Sequence, residues 1–261
     1  MDFGNVAAKH STDLLAGRGV SHFGFDAVGS GGAKELLLQS GEVLIGFLAF
    51  TDPQFGSSSP GQPGVTPLNE QTPETVHRVA QSVDCLIVSV HSGQENLVIP
   101  SPSRVKVYRD LIEAGATVVH GTHPHVFQGF EVYQSGLITY GLGNFFVDPT
   151  AWQPNALSHA SVGFVVELEA PLKVSHHTLL KGEITTDSNI SDLYQEVVQL
   201  TSVLLSDPRL HEAVWQDFAT DLFEEFGARF LGLHEKFDRR KPLGPQLKKR
   251  LSIVRDSLGI R

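Results

Sequence analysis

The chain has 261 residues, of which 41% are hydrophobic, and a formal charge of −9 at neutral pH. That length and apolar content suit one large α/β domain, or a domain with an appendage. The acidic balance argues against a nucleic-acid partner, which needs a basic face, and no run approaches the roughly 20 apolar residues that cross a bilayer.

The start MDFGNVAAKHST lacks the basic beginning and apolar centre of a signal peptide. As written the chain reads as cytoplasmic, with the compartment left open if an upstream signal or anchor is missing. A single cysteine, Cys85, excludes an internal disulfide and a cysteine-based zinc cluster. Any metal must therefore use oxygen and imidazole, so the spacing of the 12 histidines matters.

From about Asn5 to Ala16, Val6, Leu14 and Leu15 fall at helical spacing, and GRG ends the helix. VSHFGF predicts a strand, and ELLLQ with EVLIGFLAF a hairpin turning at Ser40 and Gly41. Thr51 to Thr72 is rich in Gly, Pro and Ser without periodicity, which makes it a long loop of the kind that often carries function. A short helix over Pro73 to Ser82 precedes DCLIVSVH, whose nearly continuous apolar character suits a strand buried on both faces and ending on His91. Pro102 to Ala114 reads as a helix with Val105, Val107, Leu111 and Ile112 inward, followed by TVVHGTHPHV as strand then loop. The intervening helix makes these two strands parallel neighbours.

FQGFEVYQ and GLITYGLGNFFV predict a second hairpin around Ser135 and Gly136, and ASVGFVVELE with LKVSHHTLLKGEIT a third. Beyond about Asp187 apolar residues recur at three- and four-residue spacing, which divides the chain into a mixed α/β domain over 1–187 and a helical appendage over 188–261. Trp215, Phe218, Leu222 and Phe226 form the expected inward stripe. PLGPQLKKRLSIVRDSLGIR adds a basic amphipathic helix that either meets anionic lipid or packs on its neighbours.

The most specific local signal is HGTHPHVFQGFE. His123 and His125 flank Pro124, which stiffens the backbone so that both imidazoles can point to one side. Taken alone, the pair is either a ligand pair or a chance one. His91 ends the neighbouring strand, so the loops meet where α/β sheets place their sites. Imidazoles from two strand ends, with carboxylates from elsewhere, suit a hydrolytic zinc, manganese or iron site better than a magnesium-only one. Local sequence leaves His91 and Glu95 balanced between ligand roles and plain capping and solvation.

The stretch from HSGQEN through PSPSR, the AGATVVHGTHPH segment and YQSGLITYGLGNFFVD resembles the later half of the CapA-type capsule-synthesis proteins, a branch of the calcineurin-like metallophosphoesterases. The resemblance covers about residues 1 to 170. It implies a two-sheet sandwich flanked by helices around a dinuclear centre, with His91, His123 and His125 as metal ligands and His91 and His123 in catalytic roles. Glu95, Asn144 and Glu131 match recurrent residues of less defined role. His120 stands where an aliphatic residue is usual, so it is expected to be structural, and Thr117 stands where many relatives have Asp. The family's aspartate-bearing first strand, Gly-Asp motif and Asn-Asn-His motif would lie before residue 1, which predicts an N-terminally incomplete site with little phosphoesterase activity. Loss of the Mn, Zn or Fe ions from this chain is left open, as is oligomerisation. The implied partners are a capsule or poly-γ-glutamate precursor, or capsule-assembly proteins. Two functions follow: a metal-dependent hydrolase of capsule or poly-γ-glutamate biogenesis, or a non-catalytic assembly protein that keeps the fold.

Overall fold

A computed structural model describes residues 4–30, 34–144, 160–169, 173–183 and 189–217. Its elements are helix α1 (Gly4–Gly17), strands β1 (Phe25–Asp26), β2 (Leu36–Ser40), β3 (Val43–Thr51) and β4 (Gly64–Val65), then helix α2 (Thr72–Ala80) and β5 (Cys85–His91). Helix α3 (Pro102–Glu113), β6 (Val118–Thr122), β7 (Phe127–Tyr133), β8 (Gly136–Leu142), β9 (Ala160–Glu169), β10 (Lys173–Glu183) and α4 (Asn189–Ser206) follow. Residues 208–217 continue as helix α5.

The centre is a six-stranded sheet in the order β2-β3-β5-β6-β8-β7. Strands β3, β5, β6 and β8 run parallel, while β2 and β7 pair antiparallel at the two edges. Helices α2 and α3 cross over between the parallel strands and cover one face. There Leu48, Phe50, Leu86, Val88, Val90 and Val119 pack against Val76, Val79, Val105, Tyr108 and Leu111. Helix α3 forms where expected because Ser101 accepts a hydrogen bond from the Arg104 N–H at 3.2 Å and Pro102 occupies the first turn, where its missing donor costs nothing. Gly115 ends it at φ +113, and a Cβ there would stand 2.7 Å from that of Ala80, so the α2–α3 approach also demands glycine.

On the other face Ile45, Phe47, Ile87 and Val118 stay half-buried, although parallel strands are normally covered on both sides. The expected strand over Val20 to Phe25 shrinks to Phe25–Asp26, because the chain turns at Gly24 with φ +94 and lays the Phe23 ring 5.6 Å from that of Phe47. The second hairpin turns one residue early, at Gln134 and Ser135, with Gly136 already in β8.

Two small antiparallel sheets accompany the central one, β1 with β4 and the β9–β10 hairpin, and Val162 of the latter joins a separate apolar cluster with Leu97, Val98, Ile99, Val126 and Phe127. Helix α4 closes that cluster with Tyr194, Val197, Leu200 and Leu204. It sits directly on β7: Thr201 Oγ1 donates to the Gln128 carbonyl at 2.9 Å, and a Cβ on Gly129 would fall 2.4 Å from the same oxygen. Of the expected stripe in the helical region, Trp215 packs against this cluster, while Phe218, Leu222 and Phe226 lie outside the described residues, as does the basic final helix. Among the described residues no helix is long and apolar enough to cross a membrane.

Helix α5 is held by His211, which is buried and donates from Nε2 to the Pro100 carbonyl at 2.8 Å. Burial pulls its pKa down, against that hydrogen bond and the nearby Glu212. A histidine with a depressed folded pKa stabilises the fold when neutral, and this contribution is lost as pH falls from the ordinary value of about 6.5 towards the folded one. Urea unfolding should therefore show stability falling between pH 7 and 5, by at most about 1.4 kcal/mol per pH unit from this group. In His211→Gln, whose amide keeps a donor near Nε2, that part of the slope should vanish; an unchanged slope would place the titration elsewhere.

Candidate metal centre

Strands β5 and β6 end side by side, with His91 in register with Thr122. Two backbone hydrogen bonds join the loops that leave them, Ser92 N–H to the Thr122 carbonyl at 3.1 Å and Asn96 N–H to the Pro124 carbonyl at 2.8 Å. These bonds bring the Glu95 loop over the His123-Pro124-His125 turn. Three of the four non-glycine residues with positive φ among the described residues lie here: Asn96 at 64°, His123 at 96° and His125 at 61°. Such backbone costs of order 1–3 kcal/mol per residue and persists where the surroundings impose it, commonly at functional sites.

The turn gathers the imidazoles. The ring centroids of His123 and His125 are 5.8 Å apart, and those of His91 and His123 are 4.8 Å apart. Glu95 Oε1 approaches His123 Nε2 to 3.9 Å. Glu95, His123 and His125 each offer one ligand atom, all within 4.8 Å of one another. Their donor set, two imidazoles and a carboxylate, matches what first-row divalent ions accept. Bonds of about 2.0–2.2 Å require donors within roughly 4.4 Å of each other. The half-exposed Glu95 can rotate to close the remainder. His91 adjoins this group through His123 but is not one of its three members.

Electrostatics favour the ligating form. Burial lowers the pKa of His123, His125 beside it adds to the effect, and Asp52 opposes it. Burial likewise lowers His91, reinforced by His123 and His125 and opposed by Asp52. Both rings are therefore neutral at physiological pH, with lone pairs available. For His125 the tautomer is set from outside. Asn144 Nδ2 donates to the His125 carbonyl at 3.3 Å, which turns Asn144 Oδ1 towards the ring, where it lies 2.8 Å from Nδ1. An oxygen acceptor at that distance requires the proton on Nδ1, which makes Nε2 the ring nitrogen that carries the ligand lone pair.

Two further features escaped sequence reading. Phe55, from the long loop, lies 4.3 Å from His123 and 5.3 Å from His91 between ring centroids, capping both. Its only sequence signal was membership of an aperiodic Gly/Pro/Ser stretch. Asp52 accepts from Arg104 Nη1 at 2.9 Å and from the Gly93 N–H at 3.3 Å, and the same Arg104 nitrogen donates to Ser92 Oγ at 2.7 Å. This network pins the β5 loop to helix α3. A partner 52 positions away leaves no local pattern.

The structure does not bring Glu131 to the cluster. Its carboxylate receives Arg109 in bidentate fashion, Nε at 2.9 Å and Nη2 at 2.8 Å, together with the Tyr140 hydroxyl. His120 is half-buried, its Nδ1 lying 3.1 Å from Thr139 Oγ1 across the β6–β8 pair, and burial lowers its pKa.

The chain is 31% identical over 162 residues to the capsule biosynthesis protein CapA of Bacillus anthracis, covering 55% of this chain and 39% of that one. It is 30% identical over 152 residues to the PGA biosynthesis protein CapA of Bacillus subtilis (strain 168), covering 57% and 40%. The chain thus spans about two fifths of the length of these curated relatives. Among solved structures, a 5'-nucleotidase precursor from Thermus thermophilus superposes with a TM-score of 0.43 at 15% identity, covering 74% of this chain and 40% of that one. The family model for the bacterial capsule synthesis protein PGA_cap matches residues 1–149. That match takes in the strand ends that carry His91, His123 and His125, together with Asn144, and with more than half of the chain inside it, the protein belongs to this CapA-type family of capsule and poly-γ-glutamate biosynthesis.

Proposed function

We propose that Glu95, His123 and His125 hold one divalent ion of the zinc, manganese or iron class, and that the chain serves capsule or poly-γ-glutamate biogenesis through this centre. The observation that carries the reading is the strained His123-Pro124-His125 turn, which sets two imidazoles within ligand reach of Glu95. Bound there, such an ion would supply Lewis acidity towards a phosphoryl or carbonyl oxygen. The residues themselves do the positioning: Asn144 fixes the His125 ring, the Arg104–Asp52 pair fixes the β5 loop, and the Phe55 ring packs against His123 and, edge-on, against the exposed His91. His91, beside the cluster with a lowered pKa, is placed to move a proton to or from a bound precursor of the polymer.

Among the described residues the cluster contains one carboxylate, which balances one divalent ion in part and two poorly. Metal analysis after equilibration with zinc or manganese should therefore find about one ion per chain, and none retained by His123→Ala. Circular dichroism would show that this variant still folds. Turnover of a generic phosphodiester should be weak or absent. Metal retained equally by His123→Ala would overturn the centre. One bound ion without turnover of any phosphodiester or amide-linked polymer would favour the assembly role over the hydrolase.

A further inference from the structure

Two arginines of helix α3 reach carboxylates, and they do so differently. Arg109 presents its Nε and Nη2 together to Glu131, at 2.9 and 2.8 Å, the fork in which a guanidinium holds a carboxylate best. Arg104 uses a single nitrogen. Its Nη1 donates to Asp52 Oδ1 at 2.9 Å and to Ser92 Oγ at 2.7 Å, which occupies both hydrogens of that nitrogen. Asp52 does not close the fork, because its other oxygen is taken by the Gly93 N–H at 3.3 Å. The Nε–Nη2 edge of Arg104, with the remaining N–H donors of the guanidinium, therefore has no hydrogen-bond partner among the described residues.

The open edge is accessible and held in place. The Arg104 side chain is 25% exposed, whereas Lys106 on the next turn is 76% exposed. Asp52 and Ser92 fix the guanidinium, so a ligand that binds it has little rotamer freedom left to remove. Arg104 also adjoins the candidate centre. Ser92, which Nη1 holds, directly follows His91, and Glu95 stands three residues further along the same loop. No carboxylate of the neighbouring elements is spare to fill the fork: Asp110 takes Lys106, Glu113 takes Tyr133, and Glu131 takes Arg109. The surroundings also select the charge of the occupant. With Asp52 against the guanidinium and Glu95 along the loop, a doubly charged phosphate meets more repulsion than a singly charged carboxylate.

We propose that the Nε–Nη2 edge of Arg104 receives a carboxylate of the precursor handled at the neighbouring Glu95–His123–His125 cluster, and so selects carboxylate-bearing substrates over neutral and phosphorylated ones. The assignment deepens the proposed function and rests on it for the identity of that cluster. Arg104 then has two duties on two edges of one planar group: Nη1 ties the β5 loop to α3, and the opposite edge binds substrate as Arg109 binds Glu131.

Nuclear magnetic resonance of the arginine Nε–H groups is the test, on the full chain freed of metal with phenanthroline, a neutral chelator that does not compete for a carboxylate site. The titrants are a γ-linked glutamate tetramer, the matching glutamine tetramer and inorganic phosphate. The Arg104 Nε–H signal should move saturably with the glutamate tetramer, stay in place with the neutral one, and require about tenfold more phosphate. Arg104→Lys keeps the charge and a donor for Asp52 but has no fork, so calorimetry should find the glutamate tetramer bound about tenfold more weakly, with an unchanged circular dichroism spectrum. If that variant does not fold, the titration of the parent decides alone. Because no metal is present, a chain that retains no ion can still bind the tetramer, and a chain that retains one can still fail to. The proposal is overturned by an Arg104 signal that the glutamate tetramer does not move, by equal binding of the two tetramers, by phosphate binding as tight as that of the glutamate tetramer, or by a folded Arg104→Lys that binds as the parent does.

Discussion

Replacing Leu204 by alanine should cost about 2–5 kcal/mol of stability, among the larger effects available to a single substitution in this chain. Leu204 is 1% exposed and closes the cluster of Tyr194, Val197 and Leu200 over Val126 and Phe127, while the adjacent Leu205 packs against the α2–α3 core. Helix α4 is thus the cover of β7 and of the Leu97–Ile99 segment that leads out of the Glu95 loop. Truncation leaves a cavity bounded by a sheet on one side, which collapses poorly, so the cost should lie well above that of removing the same methylenes from a surface. Val6→Ala is the control: at 85% exposure it should change stability by less than about 0.5 kcal/mol. Urea unfolding of both, with an unchanged denaturant slope, is the measurement. A loss below about 1 kcal/mol for Leu204→Ala would mean that α4 is an appendage the sheet can spare, and that residues 189–217 belong to a unit of their own.

How much of this was legible beforehand follows from the range of the interactions. Strands β5 and β6 announce themselves as apolar runs, although only the face under α2 and α3 is fully buried and the other stays half-covered. Helix α3 carries its own start and stop in Ser101, Pro102 and Gly115. His123 and His125 are legible because Pro124 between them forces an unusual turn within three residues. The Val20 to Phe25 strand was not, because its β-prone composition is overridden by Gly24 and by the docking of Phe23 on Phe47, a contact across 24 positions.

The same reasoning explains the fate of Glu131. A carboxylate near a histidine motif reads as a ligand candidate, yet Arg109, 22 positions earlier on a helix, binds both its oxygens. Only the packing of α3 against β7 and β8 reveals that partner. Phe55 and the Asp52–Arg104 pair belong to the same class, since an aperiodic loop carries no internal statement of what it folds over. Residues set by their neighbours in sequence can be read; residues set by a crossing of elements cannot.

Asn144 is the residue where the metal reading can be tested without touching a ligand. It is 8% exposed, accepts from His125 Nδ1 at 2.8 Å and donates to the His125 carbonyl at 3.3 Å, so one side chain fixes both the ring and the backbone at φ 61°. Removing such an outer partner from a metal-bound histidine typically weakens metal affinity about 10–100-fold, because the ring can then rotate or carry its proton on the wrong nitrogen. Asn144→Ala should fall in that range for zinc or manganese measured by competition with a chelating dye. Asn144→Asp should behave differently: its carboxylate keeps an acceptor at Nδ1, so it should retain most of the affinity although it loses the bond to the His125 carbonyl. A merely structural asparagine would predict the reverse order, since an unpaired buried carboxylate harms a fold more than a small cavity does. Nuclear magnetic resonance of the imidazole nitrogens supplies the second readout. In the parent, the His125 ring should carry its proton on Nδ1; in Asn144→Ala the two tautomers should mix. An alanine variant with unchanged affinity and an unmixed His125 tautomer would show that the ring is oriented by something else, and would remove Asn144 from the site.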